Sequence, residues 1–217
     1  MKKLISIAFI GLIGLIAIFA TTVTHAATLS LIGGTSGVTL PANFSGDPQL
    51  ALTGLTAEVD QVTVFNSSNS ATEGLALSGT SSIRFDYLGK EAGYTNKAIE
   101  LAGFGVLFNT ATSTPGDSIT VTLSPNASGL LPFKFWTSGA GGQSAENGNI
   151  DSPLAIAFAA LSADGKSIIA LLGDGAGDHD FDDMAIRISV VPLPPAMLLF
   201  GAALMGLGWV GRRKKIT

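Results

Sequence analysis

The run Met184-Ala185-Ile186-Arg187-Ile188-Ser189-Val190 decides the fold class. Its alternation sets Met184, Ile186 and Ile188 on one face of a strand, with Ala185, Arg187 and Ser189 on the other. The same period of two recurs at Gln61-Val62-Thr63-Val64-Phe65, Ser82-Ile83-Arg84-Phe85-Asp86-Tyr87 and Ser118-Ile119-Thr120-Val121-Thr122-Leu123. In Pro132-Phe133-Lys134-Phe135-Trp136 the two phenylalanines share one face, so Lys134 and Trp136 are expected to point outward. An outward Trp136 could stack on a sugar ring or cover the edge of a sandwich. Leu154 to Leu161 and Ser167 to Leu172 are continuous apolar runs. They suit strands buried on both faces, or a hairpin turning at Asp164-Gly165-Lys166, although Leu154–Ala160 is also helix-compatible by propensity. Gly, Ser, Thr, Asn and Asp punctuate these segments, and no 3.6-residue period competes. The expectation is one all-β domain over residues 27–189, a sandwich or jelly roll.

Charge is distributed by segment. The whole chain has 12 basic and 16 acidic residues, a net charge of −4. All sixteen acids lie within 27–189 beside six bases, so that stretch carries −10. Such a balance excludes a nucleic-acid partner, which needs a basic face. The chain has no Cys, which removes disulfides, thiol catalysis and thiolate metal sites.

The two ends read as addresses. Met1-Lys2-Lys3 precedes an apolar run from Leu4 to Ala20, then a polar patch and the small residues Thr24 and Ala26. This is the order of a secretory signal peptide over 1–26, cleaved before Ala27. At the other end, Val191-Pro192-Leu193-Pro194-Pro195 forms a proline hinge that breaks any strand ladder. Ala196 to Gly211 is uncharged and, as a helix, about 24 Å long, a short membrane span. Arg212-Arg213-Lys214-Lys215 then forms a basic stop held on the cytoplasmic side.

The hinge, the span and the basic stop of the 190–217 tail together resemble the PEP-CTERM sorting signal in its Val-Pro-Leu-Pro-Ala variant, the match covering about residues 190–215. Leu193 stands where the parent Pro-Glu-Pro motif has Glu, and Pro195 intervenes before Ala196. The resemblance implies processing by an exosortase-type membrane transpeptidase. It also implies a transient inner-membrane tether, and delivery to the cell surface or extracellular matrix of a Gram-negative bacterium that makes exopolysaccharide. Tyr87-Leu88-Gly89-Lys90-Glu91-Ala92-Gly93-Tyr94-Thr95-Asn96, Leu107-Phe108-Asn109-Thr110 and the Asp-rich final strand resemble a small extracellular domain that recurs upstream of such tails. Within that loop Gly89 and Gly93 permit positive φ, and Glu91 and Tyr94 are read as supports of the fold.

The most chemical segment is Gly173-Asp174-Gly175-Ala176-Gly177-Asp178-His179-Asp180-Phe181-Asp182-Asp183. Asp174, Asp178, Asp180, Asp182 and Asp183 repel one another unless a cation or hydrogen-bond donors intervene. Ca²⁺, a hard ion with flexible oxygen coordination, is the expected partner of these five carboxylates. The match to an EF-hand fails, because position six is Asp183 and position twelve is Ser189. The bland alternative is a solvated turn whose aspartates cap backbone amides.

Catalysis finds little support. Once the signal peptide leaves with His25, His179 is the remaining histidine, and Asp178 and Asp180 favour its protonated form. Zinc-ligand spacing, a nucleophile elbow and a phosphate-cradling loop are all missing from the sequence. The expectation is therefore a non-enzymatic surface or matrix protein, with a structural or polysaccharide-binding β domain steadied by calcium. The alternative is an extracellular polysaccharide hydrolase working with two carboxylates.

Overall fold

The computed structural model describes residues 27–46, 49–91, 93–139, 141–159, 162–174 and 180–192. The signal segment and the tail beyond Pro192 lie outside these residues. Fourteen strands are described. They are β1 (Leu29–Ile32), β2 (Thr35–Thr39), β3 (Gln61–Asn66), β4 (Gly74–Leu77), β5 (Ser81–Gly89), β6 (Asn96–Glu100) and β7 (Gly105–Asn109). The series continues with β8 (Ser118–Leu123), β9 (Phe133–Thr137), β10 (Ser144–Glu146), β11 (Asn149–Ile150), β12 (Ala155–Ala159), β13 (Ser167–Gly173) and β14 (Met184–Val191). Among the described residues, one 3₁₀ turn spans Ala51–Thr53.

The strands form three antiparallel sheets in one sandwich-like domain. The larger sheet runs β2-β3-β12-β13-β14-β5-β8, the facing one β11-β10-β9-β6-β7, and β1 pairs with β4 alone. All five alternating runs read from the sequence are strands. The inward residues of the two large sheets meet in one core, where Phe133 stands edge-on to Phe135 and Phe158. Tyr87 stacks on Phe108 with 5.7 Å between ring centroids. Burial of the Tyr87 ring pushes its phenol up to about 12.

The helix-compatible alanine run is strand β12, held by β3 on one side and β13 on the other. Its alternation explains the choice. Ile156 and Phe158 enter the main core, while Ala155, Ala157 and Ala159 face a second cluster containing Leu40, Phe44 and Leu50. Small side chains on that face leave room for the covering segment between β2 and β3, so both faces of the strand are buried. The turn expected at Asp164-Gly165-Lys166 joins β12 to β13, with Gly165 at φ +65°.

Two polar or backbone details fix the packing. Buried Asn147 accepts from the Leu75 amide at 2.7 Å and donates to the carbonyls of Leu75 and Leu131 at 2.7 and 2.8 Å. It thereby fastens the small β1–β4 sheet to the strand-free stretch before β9. Gly89 ends β5 at φ +139°, with the Gln49 carbonyl lying where a Cβ would project.

Candidate functional site

Two surfaces carry chemistry. The first is the corner between β13 and β14. Asp174 follows the end of β13, and Asp180, Asp182 and Asp183 lead into β14; Asp178 and His179 lie outside the described residues. The four described aspartates are all buried, at 9% exposure or less, so the turn is not solvated there, while two of its carboxylates do cap backbone amides. They divide into two pairs. Asp180 accepts from Asn43 Nδ2 at 3.4 Å, and Asp182 accepts from the Ser45 amide at 2.7 Å, so both address the segment covering the second core. Between them Phe181 fills that core from a left-handed backbone, φ +60°.

Asp174 and Asp183 turn instead toward the five-stranded sheet. Asp183 Oδ2 accepts from the Asp174 amide at 2.6 Å, and Asp174 Oδ2 accepts from Thr137 Oγ1 at 3.0 Å. Asn96, the cross-strand partner of Thr137, donates through Nδ2 to the Asp183 carbonyl at 3.0 Å. Asn96, Thr137, Asp174 and Asp183 thus close a ring of contacts between the two sheets. Burial pushes the Asp183 carboxyl up to about 8, and the charges of Asp174 and Asp180 add to the shift. Two buried acceptors here have no hydrogen-bond donor, Asn96 Oδ1 and Asp182 Oδ1. Among the described residues, no three acidic or imidazole side chains gather closely enough to form a metal centre. An ion at this corner would need amide and backbone oxygens as well as carboxylates, which Ca²⁺ accepts.

The second surface is the outer face of the five-stranded sheet. Phe133 and Phe135 are fully buried, and Lys134 and Trp136 point the other way, as their alternation requires. Register places Lys97 directly across from Trp136, and Lys134 across from Ile99 on one side and Glu146 on the other. The Lys97 ammonium rests 4.7 Å from the Trp136 ring centroid, a cation–π contact worth about 0.5–1 kcal/mol at an exposed site. Trp136 Nε1 donates to the Gly142 carbonyl at 3.1 Å, which fixes the indole against the β9–β10 turn. Tyr94 lies against Gly139 in the same turn and is 57% exposed, so any support it gives the fold is to this loop and not to the core. The aspartates and Trp136 were visible in the sequence. Lys97 and Asn96 were not, because their roles depend on distant partners, Trp136 for Lys97 and Thr137 and Asp183 for Asn96, that only the tertiary fold brings together.

The outer face of β14, β5 and β8 holds a shallow groove lined by Leu52, Arg84, Asp86, Leu88, Gly116, Arg187 and Ser189. Arg84 is already paired with Asp86 at 2.7 Å, and Arg187 donates to the Leu52 carbonyl at 3.3 Å. No aromatic side chain lines it. Of the sorting motif, Val191 is the last residue of β14, paired with Ser82, and Pro192 follows it. Leu193, Pro194 and the basic stop Arg212–Lys215 lie outside the described residues. No protein-family model matches the chain, and no curated protein matches it.

Proposed function

We propose that this is an exported bacterial surface or matrix protein whose β domain binds polysaccharide and performs no catalysis. The observation that carries the binding role is Trp136, held at the surface of a rigid sheet by its bond to Gly142, with Tyr94 at the same turn. Tyr94 is exposed and Trp136 half-buried on the outer face, and aromatic rings already fixed at a surface bind without a large loss of side-chain freedom. The signal segment 1–26 and the PEP-CTERM-like tail 190–217 supply the route. Export comes first, then a transient inner-membrane tether, then release or attachment outside the cell by an exosortase-type enzyme. Ca²⁺ enters as a structural ion at the acidic corner, supported by the buried acceptors Asn96 Oδ1 and Asp182 Oδ1.

The test is binding of the full chain, in detergent, to a panel of immobilised neutral and charged polysaccharides. Retention on at least one polymer, lost in Trp136→Ala with an unchanged melting temperature, is expected. Absence of retention on every polymer would overturn the reading, and hydrolysis of the bound polymer would replace it with the hydrolase alternative.

A further inference from the structure

The outer face of the five-stranded sheet carries a charge pattern opposite to that of the domain. Of the six bases in 27–189, Arg84 and Lys166 are ion-paired with Asp86 and Asp164, and Arg187 is engaged by a carbonyl. Lys97 and Lys134 have no ion-pair partner among the described residues. Both lie on this one face, either side of the β6–β9 ladder that also presents Trp136. With Lys97 opposite Trp136, Lys134 occupies the diagonal position two residues along, about 7–8 Å from Lys97. Glu146 is the one carboxylate that projects from the strands of the face, and although it lies across from Lys134 it makes no ion pair with it. A row Asn109-Lys97-Trp136-Ser144 crosses four strands, about 14 Å at the usual strand spacing.

We infer that the ligand of this face is an anionic polysaccharide, with Lys97 and Lys134 receiving its carboxylates and Trp136 packing on a sugar ring. The inference rests on the reading that the domain binds polysaccharide, and it names the chemical class. Unpaired ammonium groups on a domain of net −10 are the positions where a polyanion can approach. Lys97 couples the two contacts. In the free protein its ammonium covers the indole; a carboxylate draws it aside and uncovers the ring face for the sugar. A neutral polysaccharide has nothing to exchange for that cation–π contact and meets a ring that is already occupied. The arginine groove on the opposite sheet lacks this combination, because Asp86 neutralises Arg84 and no ring is present.

The experiment compares the full chain in detergent with two soluble oligosaccharides of equal length, a polyuronate and a neutral β-glucan, by calorimetric titration at two salt concentrations. Tighter binding of the polyuronate by at least tenfold, weakened by salt, is expected. Lys97→Gln/Lys134→Gln should remove that preference while leaving the melting temperature unchanged. The polyuronate should also change the tryptophan emission, and Trp136→Phe should abolish the change while Trp209 stays in place. Equal or tighter binding of the neutral glucan would overturn the inference and leave the polysaccharide reading standing. Polyuronate binding that survives the double substitution, or is matched by poly-glutamate, would also overturn it. Binding of neither oligosaccharide would overturn both.

Discussion

The backbone amide of Asp174 donates to Oδ2 of Asp183 at 2.6 Å, so the two ends of the acidic loop close on each other inside the protein. Nine residues of chain return to a point where one carboxylate must satisfy a neighbour's amide with little water to share the charge. That arrangement sets the first prediction.

Stability should fall as pH rises toward 8. The folded-state value of about 8 for Asp183 lies above the ordinary carboxyl value of about 3.9. Between these values the native protein retains a proton that the unfolded chain has released, so each rise in pH favours unfolding. The contribution is complete below about pH 4 and is lost as pH passes through the folded value. Asp183→Asn keeps an acceptor for the Asp174 amide and removes the titration. Its melting temperature, followed from pH 5 to 9, should be flatter than that of the parent; equal slopes would rule out this role for Asp183.

Calcium should stabilise the protein, and more at pH 8 than at pH 5, because the ion competes with the proton for the same carboxylates. With a dissociation constant near 1 mM, in the extracellular range, 10 mM Ca²⁺ adds about 1.4 kcal/mol. Asn96→Ala and Asp174→Asn should each remove the gain. A melting temperature indifferent to Ca²⁺ at both pH values would remove calcium from the account.

Asn147→Ala should cost at least ~2 kcal/mol. It strips the buried Leu75 amide and two carbonyls of their partner, and each unsatisfied group carries a penalty of about 1–3 kcal/mol. Chemical denaturation would show a lower midpoint. Asn147→Asp should not restore it, since a carboxylate cannot donate to Leu75 and Leu131.

Gly89→Ala should destabilise by about 1–3 kcal/mol. The new methyl group meets the Gln49 carbonyl at a φ that L side chains rarely adopt. Gly141→Ala is a useful contrast, because its φ is also positive but the space around it is open. A larger loss for Gly141→Ala would contradict the steric account.

The form isolated from the cell surface should begin at Ala27 and lack Arg212–Lys215. Mass spectrometry decides this, and an intact basic tail on the surface form would exclude sorting cleavage.

The fold class was legible because alternation is a local property. Ile186 and Ile188, or Phe133 and Phe135, declare their shared face within a few residues. β12 was legible only in part, since Ala155, Ala157 and Ala159 carry no hydrophobic signal until the segment containing Leu40, Phe44 and Leu50 is placed over them. β1, β2, β4, β6, β7, β10 and β11 escaped notice because most are short, and their inward residues include Ala98 and Ala145. The candidate sites divide in the same way. The aspartates stood out through density, and Trp136 through alternation. The orphan amide oxygen of Asn96 and the ammonium above Trp136 arise from pairing between β6 and β9, which no local window contains.

β14 lies inside its sheet, laddered to β13 along Met184–Ser189 and to β5 along Ala185–Val191, and it runs straight into Pro192. A pull on the chain beyond Pro192 is therefore directed along the strand and across two rows of hydrogen bonds that stand perpendicular to it. Such a load shears both rows at once instead of opening them one bond at a time. That end of the domain therefore resists tension better than an edge strand would, as a hawser made fast amidships holds better than one tied at the rail.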